Sequence, residues 1–179
     1  MPACLLAVLV TALVAVLAHD DAATAQPTVS PSDAFSVLNR APNAEDAANF
    51  EVQDAAGQSS QGLHADQARV LRTAGRNRLW LIPGEGVVCV GAQPVVKGQV
   101  RFAMVCEQTT TAVQQGVAME YDGSIIGVVP DEVQQLEVTS NDGKASQASV
   151  ARNAYVLAPG KYDARITSSK GVRAFGLNK

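Results

Sequence analysis

Two cysteines, Cys89 and Cys106, are the residues best suited to chemistry in this sequence of 179 residues. They flank a strongly apolar stretch, and the chain has one other cysteine, Cys4. Two thiols can form a redox couple, ligate a metal ion or form a structural disulfide. A redox couple is typically a C-x-x-C at a helix start, and a zinc site takes about four ligands. The spacing fits neither, so the sequence predicts a structural disulfide.

A hairpin would bring these two cysteines together. If Lys97-Gly98 forms a two-residue turn, Cys89 lies directly opposite Cys106 in a pair without mutual hydrogen bonds, with Cα atoms about 4.5 Å apart. Strand alternation places a wholly apolar set of side chains on one face of the second strand: Cys106, Met104, Phe102 and Val100. We expect this face to point into the core. Pro94 donates no ladder hydrogen bond, so the tip is predicted to open into a loop.

Other catalytic signatures are missing from the sequence. His64 is the only histidine after residue 25, and Asp66, two residues on, would not face it on a helix. There is no nucleophile elbow, phosphate-binding loop or zinc-protease motif. We therefore predict no catalytic, cofactor-binding or metal-ligating residues.

Two pairs of carboxylates leave one enzymatic hypothesis open. Glu120 with Asp122, and Asp131 with Glu132, lie at predicted turns, where acidic residues are common. Hydrolysis of the glycosidase type needs only two carboxylates that are close in space. An extracellular hydrolase of this kind is therefore an alternative to a non-catalytic protein.

The N-terminus has the order of a secretory signal peptide. Residues 4–18 are uncharged and almost all apolar, a polar break follows at 19–21, and Ala23-Thr24-Ala25 supplies small residues for cleavage. The apolar run is short for a membrane span, which needs about 20 residues. We predict cleavage after Ala25. Because no Lys or Arg precedes the apolar run, an upstream start codon or an uncleaved N-terminal anchor is the alternative.

Composition and charge narrow the class of protein. The chain is 47% hydrophobic and 17% charged, which favours one folded domain over disorder. A formal net charge of −3 is too small to indicate a nucleic-acid partner. The mature chain keeps an even number of cysteines in a compartment where disulfides persist. We expect a secreted or cell-envelope location, no cofactor, and no membrane span in the mature chain.

Short helices are predicted before the β-rich part of the chain. Ser30 can cap a helix with Pro31 at its first position and Asp33 in its first turn. A second helix is predicted from Asn43. The stretch HADQARVLRTAGRNR, residues 64–78, predicts a longer helix that stops at Gly75.

From Leu79 onward, Val- and Ile-rich runs alternate with turns, at Pro83-Gly84, Asp122-Gly123, Pro130-Asp131, Asp142-Gly143 and Pro159-Gly160. Asp-Gly between extended runs favours tight hairpins. The sequence predicts a mainly β (α+β) fold, with an antiparallel β-sandwich or barrel-like body of about seven to nine strands and one to three short N-terminal helices. The predicted organisation is a signal peptide at 1–25, a helical and loop segment at 26–75 that packs on the body, and a β-rich domain at 76–179.

Three stretches together resemble a group of small exported bacterial proteins of unknown function. They are AFSVLNRAPNAEDA (34–47), RLWLIPGEGVVCV (78–90) with MVC (104–106), and IIGVVPDEVQQLEVTSNDGKASQASVARNAYVL (125–157). The shared features are turns and core positions, and none is catalytic. In such proteins Arg-Pro would follow the first motif and Pro-Asp-Gly would occur in the third, whereas this chain has Ala41 and Glu132 there. The resemblance implies export and a β-rich fold but no activity.

These observations favour a secreted or envelope-associated, non-catalytic β domain that binds an extracellular or envelope partner. The alternatives are the carboxylate-dependent hydrolase and a secreted protein that resembles a protease inhibitor. Such an inhibitor would present one rigid turn to a protease, and PDEV (130–133) and APGK (158–161) are the candidate turns.

Overall fold

Three antiparallel sheets form the body of the protein. The computed structural model describes residues 29–47, 50–74, 77–95 and 102–177. The first sheet has the order β1-β2-β3-β4, formed by β1 (Arg69–Ala74), β2 (Asn77–Gly84), β3 (Val87–Pro94) and β4 (Ala103–Gln108). The second has the order β5-β6-β9, formed by β5 (Val117–Tyr121), β6 (Ser124–Val128) and β9 (Ala154–Leu157). The third has the order β11-β10-β7-β8, formed by β7 (Val133–Ser140), β8 (Ala145–Gln147), β10 (Tyr162–Ser168) and β11 (Gly171–Leu177). The predicted mainly β fold class is confirmed.

The second sheet lies between the other two, because it is apolar on both faces. Ile126 and Val128 belong to one core cluster with Leu81 and Val90 of the first sheet. Ile125 belongs to a separate cluster with residues of the third sheet, including Leu136 and Ile166. Alternate side chains on a strand point to opposite faces, so the run Ile125-Ile126-Gly127-Val128 supplies both cores at once.

Short helices precede and interrupt the strands. They are α1 (Pro31–Ala34), α2 (Ala44–Ala47), α3 (Phe50–Gln58) and α4 (Thr109–Gln115), with 3-10 turns at Ser36–Asn39 and Ala65–Gln67. Phe35, which follows α1, is fully buried at the edge of the core between the first two sheets. Val52 of α3 covers the outer face of the first sheet and packs with Trp80 and Cys89.

The cysteine register is as predicted. Cys89 of β3 lies directly opposite Cys106 of β4, with the Cα atoms 4.0 Å apart, and the two residues form a disulfide. The predicted apolar face is also present, since Met104 and Phe102 lie with both cysteines in the core beneath α3. The β3–β4 pairing ends at Ala92 with Ala103, before Pro94. The predicted turn at Lys97-Gly98 and the position of Val100 lie outside the described residues.

The predicted helix over residues 64–78 is wrong. Only Ala65–Gln67 is helical, as a 3-10 turn, and the chain then forms β1 and the start of β2. Local helix propensity is outweighed by the burial of Leu71 and Leu79, which alternation points toward the second sheet. The predicted stop at Gly75 lies outside the described residues.

The predicted turns are mostly confirmed. Asp122 and Gly123, with φ values of 50° and 70°, form the two-residue turn between β5 and β6, as tight hairpins require. Asp142-Gly143 lies between β7 and β8. The turn at Pro83-Gly84 is wrong, because both residues still pair with β3. The chain reverses two residues later, at Glu85-Gly86.

The predicted signal peptide at 1–25 and its cleavage after Ala25 lie outside the described residues. Within the described ranges, no helix is long and apolar enough to cross a membrane.

Candidate ligand-binding groove

A groove of about 480 Å³ opens at the start of β7, between that strand and the segment that follows β8. Its lining is formed by Val133, Gln134, Gln135, Leu136, Gln147, Ala148, Ser149 and Val150. The volume lies within the range of sites for small ligands or short chain segments. A smaller cavity of about 200 Å³ adjoins it and shares Gln135 and Gln147.

The groove exists because β8 is too short to cover β7. β8 pairs with Glu137, Val138 and Thr139 alone, and the last cross-strand contact is the Ala148 amide donating to the Leu136 carbonyl at 2.8 Å. Beyond that contact the chain turns away toward β9. On the side of β7 that faces β8, residues Val133–Gln135 have no strand partner among the described residues.

A β-bulge shapes the other side of β7. Thr167 of β10 pairs with Gln135, but the next residue, Ser168, pairs with Val133, so Gln134 has no opposite residue. A bulge bends its strand and redirects the side chain of the extra residue. Gln134 is exposed at the groove, and its position results from this slip in register.

Two crossovers between the second and third sheets meet beside the groove, and the second of them supplies Ala148, Ser149 and Val150 to its lining. Residues 129–132 lead from β6 into β7, and residues 148–153 lead from β8 into β9. Asp131 joins them, because its Oδ1 accepts a hydrogen bond from Nδ2 of Asn153 at 2.7 Å. The same Nδ2 also donates to the Val129 carbonyl at 2.9 Å. The Val129 amide also donates to the Asn153 carbonyl at 2.8 Å, so backbone and side-chain bonds together set the spacing of the two crossovers.

The N-terminal segment also binds Asp131, whose hydrogen bond with Asn153 we call the clamp. The Ser36 amide donates to Oδ2 of Asp131 at 2.6 Å, and the Asp131 amide donates to the Ala34 carbonyl at 2.8 Å. Because the carboxylate is negative, both side-chain bonds are of the stronger, charge-assisted kind. Asp131, a residue predicted as one half of a carboxylate pair, thus links three chain segments.

The turn before β9 places Asn153 for this role. Arg152 and Asn153 both adopt positive φ, at 51° and 65°, a conformation in which Asn is better tolerated than most residues. Ala151 and Ala154 exchange backbone hydrogen bonds at 2.9 and 3.0 Å and close the turn.

The groove is polar and uncharged. Three amide side chains and one hydroxyl line it, on Gln134, Gln135, Gln147 and Ser149, and none of the described lining residues is charged. Apolar surface comes from valine and alanine, including Val150, which is 36% exposed. Amides both donate and accept, so the lining suits neutral hydrogen-bonding groups such as peptide bonds or hydroxyls.

The other predicted acidic residues are not gathered at this groove. Glu132 forms an ion pair with Lys170 at 2.7 Å, which ties the crossover to the turn between β10 and β11. Glu120 and Asp122 lie at the exposed β5–β6 hairpin. Neither residue lines the cavities described above.

The remaining candidate residues have separate positions. His64 precedes the 3-10 turn, where its backbone amide donates to the Pro83 carbonyl at 2.9 Å. The candidate inhibitory turn at 158–161 is exposed, and the Tyr162 hydroxyl donates to the Ala158 carbonyl at 3.2 Å. Over the described ranges, no three His, Cys, Asp or Glu side chains group as metal ligands.

A second carboxylate, which is buried, holds the N-terminal segment to the first sheet. Asp46, 3% exposed, forms an ion pair with Arg40 and accepts the backbone amides of Asn43 at 2.8 Å and Val70 at 2.7 Å. Burial raises the pKa of the Asp46 carboxyl, but the hydrogen bonds from Arg40, Asn43 and Val70 outweigh it, so the pKa is lowered. Sequence analysis had placed Asp46 in the region of a helix start, with no sign of this contact to β1.

No family model, curated protein or solved structure matches the chain.

Proposed function

We propose that this protein is an exported, non-catalytic domain that binds an uncharged polar segment of another molecule in the groove between β7 and the 148–150 segment. The observation that carries the proposal is the combination of an open, amide-lined groove with the Asp131–Asn153 hydrogen bond, which joins the two crossovers beside it. A preformed site loses less conformational entropy on binding than one that must first be ordered.

The lining chemistry supports a neutral ligand. A charged ligand would lose water without gaining an opposite charge, because the described lining residues carry none. Each neutral hydrogen bond contributes about 0.5–1.5 kcal/mol net. With four polar side chains available, we expect affinities in the micromolar range or weaker.

Export is supported by the disulfide together with the apolar N-terminal segment. Disulfides persist outside the reducing cytosol, and Cys89 is fully buried where it forms its bond. The apolar run followed by small residues has the order of a cleaved signal. The partner is therefore expected in the medium or the cell envelope.

The test is affinity capture of envelope and medium components with the purified domain. The groove variant carries Gln134→Ala and Gln147→Ala, and the control carries Gln61→Ala and Gln115→Ala, which remove exposed glutamines outside the groove. We expect the control to retain the molecules captured by the wild type and the groove variant to lose them. Equal capture by both variants would contradict binding in the groove.

A further inference from the structure

We infer that β11 is a self-association edge, through which two copies of this chain pair antiparallel about a two-fold axis and join their third sheets into one. β11 is an edge strand, since it pairs with β10 alone among the described strands. Its seven residues all pair with β10 in continuous register.

Three of the other edge strands, β1, β8 and β9, are protected in ways that β11 is not. The remaining two, β4 and β5, are shorter than β11 and lie next to each other. Natural proteins protect edges with short strands, bulges or covering segments. β8 has three residues and β9 has four. β1 carries a register slip between Val70 and Arg72, and the carboxylate of Asp46 caps its Val70 amide. β11 is the longest edge strand in the described part of the chain and has no irregularity.

The hairpin geometry determines which backbone groups point outward. Ser168 and Gly171 flank a two-residue turn, so they form a hydrogen-bonded pair, and pair types alternate along the ladder from there. Val172, Ala174 and Gly176 then fall in the non-bonded positions opposite β10. Their N–H and C=O groups point away from β10, toward the free edge.

A second copy fits this edge in one full-length register. When Gly171–Leu177 pairs antiparallel with itself, Ala174 lies opposite Ala174 of the other copy, and Val172 lies opposite Gly176. This register satisfies all three outward-facing residues of each copy, with about six backbone hydrogen bonds. A shift of one residue toward the N-terminus would instead place Arg173 opposite Arg173, which like-charge repulsion disfavours.

The side chains along the seam, where β11 of one copy would meet β11 of the other, also fit a second copy of the chain. Val172 is 61% exposed, the highest value among the large exposed hydrophobic residues in the described ranges, and pairing would shield it. The nearest charged side chain on the outer face, Arg165, is one strand away from Ala174. Its counterpart in the other copy would lie about three strand spacings away, roughly 14 Å, beyond the screening length of about 8 Å at physiological salt. On the opposite face Arg173 would be diagonal to its own counterpart and not directly opposite it, and its guanidinium donates to the Gln114 carbonyl at 3.2 Å.

The pairing is expected to be weak. A seven-residue strand is about 24 Å long, so the contact is smaller than the 1,200–2,000 Å² typical of stable complexes. We expect a dimer that forms between about 10 µM and about 1 mM and dissociates on dilution.

Sedimentation equilibrium over that concentration range tests the inference. The weight-average mass should rise toward twice the monomer mass for the wild type and for the control Ala174→Ser, which keeps the backbone N–H. Ala174→Pro removes an outward N–H without breaking a bond to β10, and Val172→Lys places a charge at the seam. Both variants should remain monomeric and folded by circular dichroism. A wild type that is monomeric at about 1 mM, or variants that dimerise like it, would overturn the inference.

Amide hydrogen exchange gives a second readout that does not depend on a variant folding. Protection of the Val172, Ala174 and Gly176 amides should increase with protein concentration. Protection that is already complete in dilute monomer would also overturn the inference, because those groups would then be paired within one chain.

Discussion

Oδ1 of Asp131 and Nδ2 of Asn153 are 2.7 Å apart, and this hydrogen bond joins the two crossovers beside the candidate groove. The residues are 22 positions apart in sequence and belong to connections on opposite sides of a hairpin. Asp131, at the predicted acidic turn, is therefore a structural link beside the candidate groove.

Asp131→Ala should destabilise the fold and loosen the groove. The substitution removes the acceptor that the Ser36 amide and the Asn153 side chain share. Because Asp131 is exposed and Asn153 keeps its bond to the Val129 carbonyl, we expect a cost of about 1–2 kcal/mol in unfolding free energy. Glu132→Gln is the control, because it removes an ion pair with the exposed Lys170 and should cost less than about 1 kcal/mol. Chemical denaturation of both variants measures the difference, and equal losses would contradict the clamp.

Acid should weaken the attachment of the N-terminal segment through Asp46. Its folded-state pKa is below the ordinary value of 3.8, so its contribution to stability is present above about pH 4 and is lost as pH falls through the folded-state pKa. Asp46→Ala should lower the unfolding free energy at pH 7 by about 3 kcal/mol, because it leaves Arg40 and the Val70 amide unpaired.

The control for Asp46 is Glu45→Gln, on the exposed neighbour in the same helix. We measure the unfolding free energy by denaturation between pH 2.5 and 7. It should change less with pH for Asp46→Ala than for the wild type or Glu45→Gln. Indistinguishable slopes for all three proteins would show that Asp46 is not a stabilising carboxylate.

Gly127→Ala should destabilise the middle sheet. Gly127 lies directly opposite Tyr155, and a Cβ there would be 2.4 Å from the buried Tyr155 ring. Tyr155 is 1% exposed and packed between sheets, so it has little room to move, and overpacking of this kind costs about 1–3 kcal/mol. Gly57→Ala, in an open position on α3, should be neutral or stabilising. Thermal melting distinguishes the two outcomes, and an unchanged melting temperature for Gly127→Ala would refute the packing argument.

Reduction of the disulfide should lower stability without changing the fold. A bond between residues 17 apart contributes about 3 kcal/mol in the chain-entropy model. Peptide mapping of the secreted protein should show Cys89 linked to Cys106, and denaturation with and without reductant should differ by that amount. Two free thiols in the secreted protein would contradict the assignment.

The cysteine hairpin and the Asp-Gly turns were predictable because each depends on residues close in sequence. One hairpin is enough to bring Cys89 opposite Cys106. The turn at Asp122-Gly123 requires only that these two residues adopt positive φ. The mainly β fold class followed from strand alternation, although sequence could not show that Ile125 and Ile126 face different sheets. That requires knowing that a third sheet, formed later in the chain, covers the second.

The site was not predictable for a related reason. Gln134 is exposed because of a bulge against β10, and the groove exists because β8 ends at Gln147. The bulge depends on a pairing between strands distant in sequence, and the end of β8 depends on where the chain leaves β7 to join β9. The helix predicted for 64–78 failed similarly, since Leu71 and Leu79 are buried by a sheet formed from residues 117–157. Asp46 gave a helix-start signal, while its main partner in β1, the Val70 amide, is 24 residues away.

The most direct test of groove binding is site-specific photo-crosslinking in the native cells. A photoreactive amino acid replaces Val150 in the groove in one protein and Gln115, on the exposed end of α4, in a control. We predict a discrete cross-linked partner from position 150, lost when Gln134→Ala and Gln147→Ala are added, and none from position 115. The same products from both positions, or none from position 150, would contradict the claim that this groove binds a ligand.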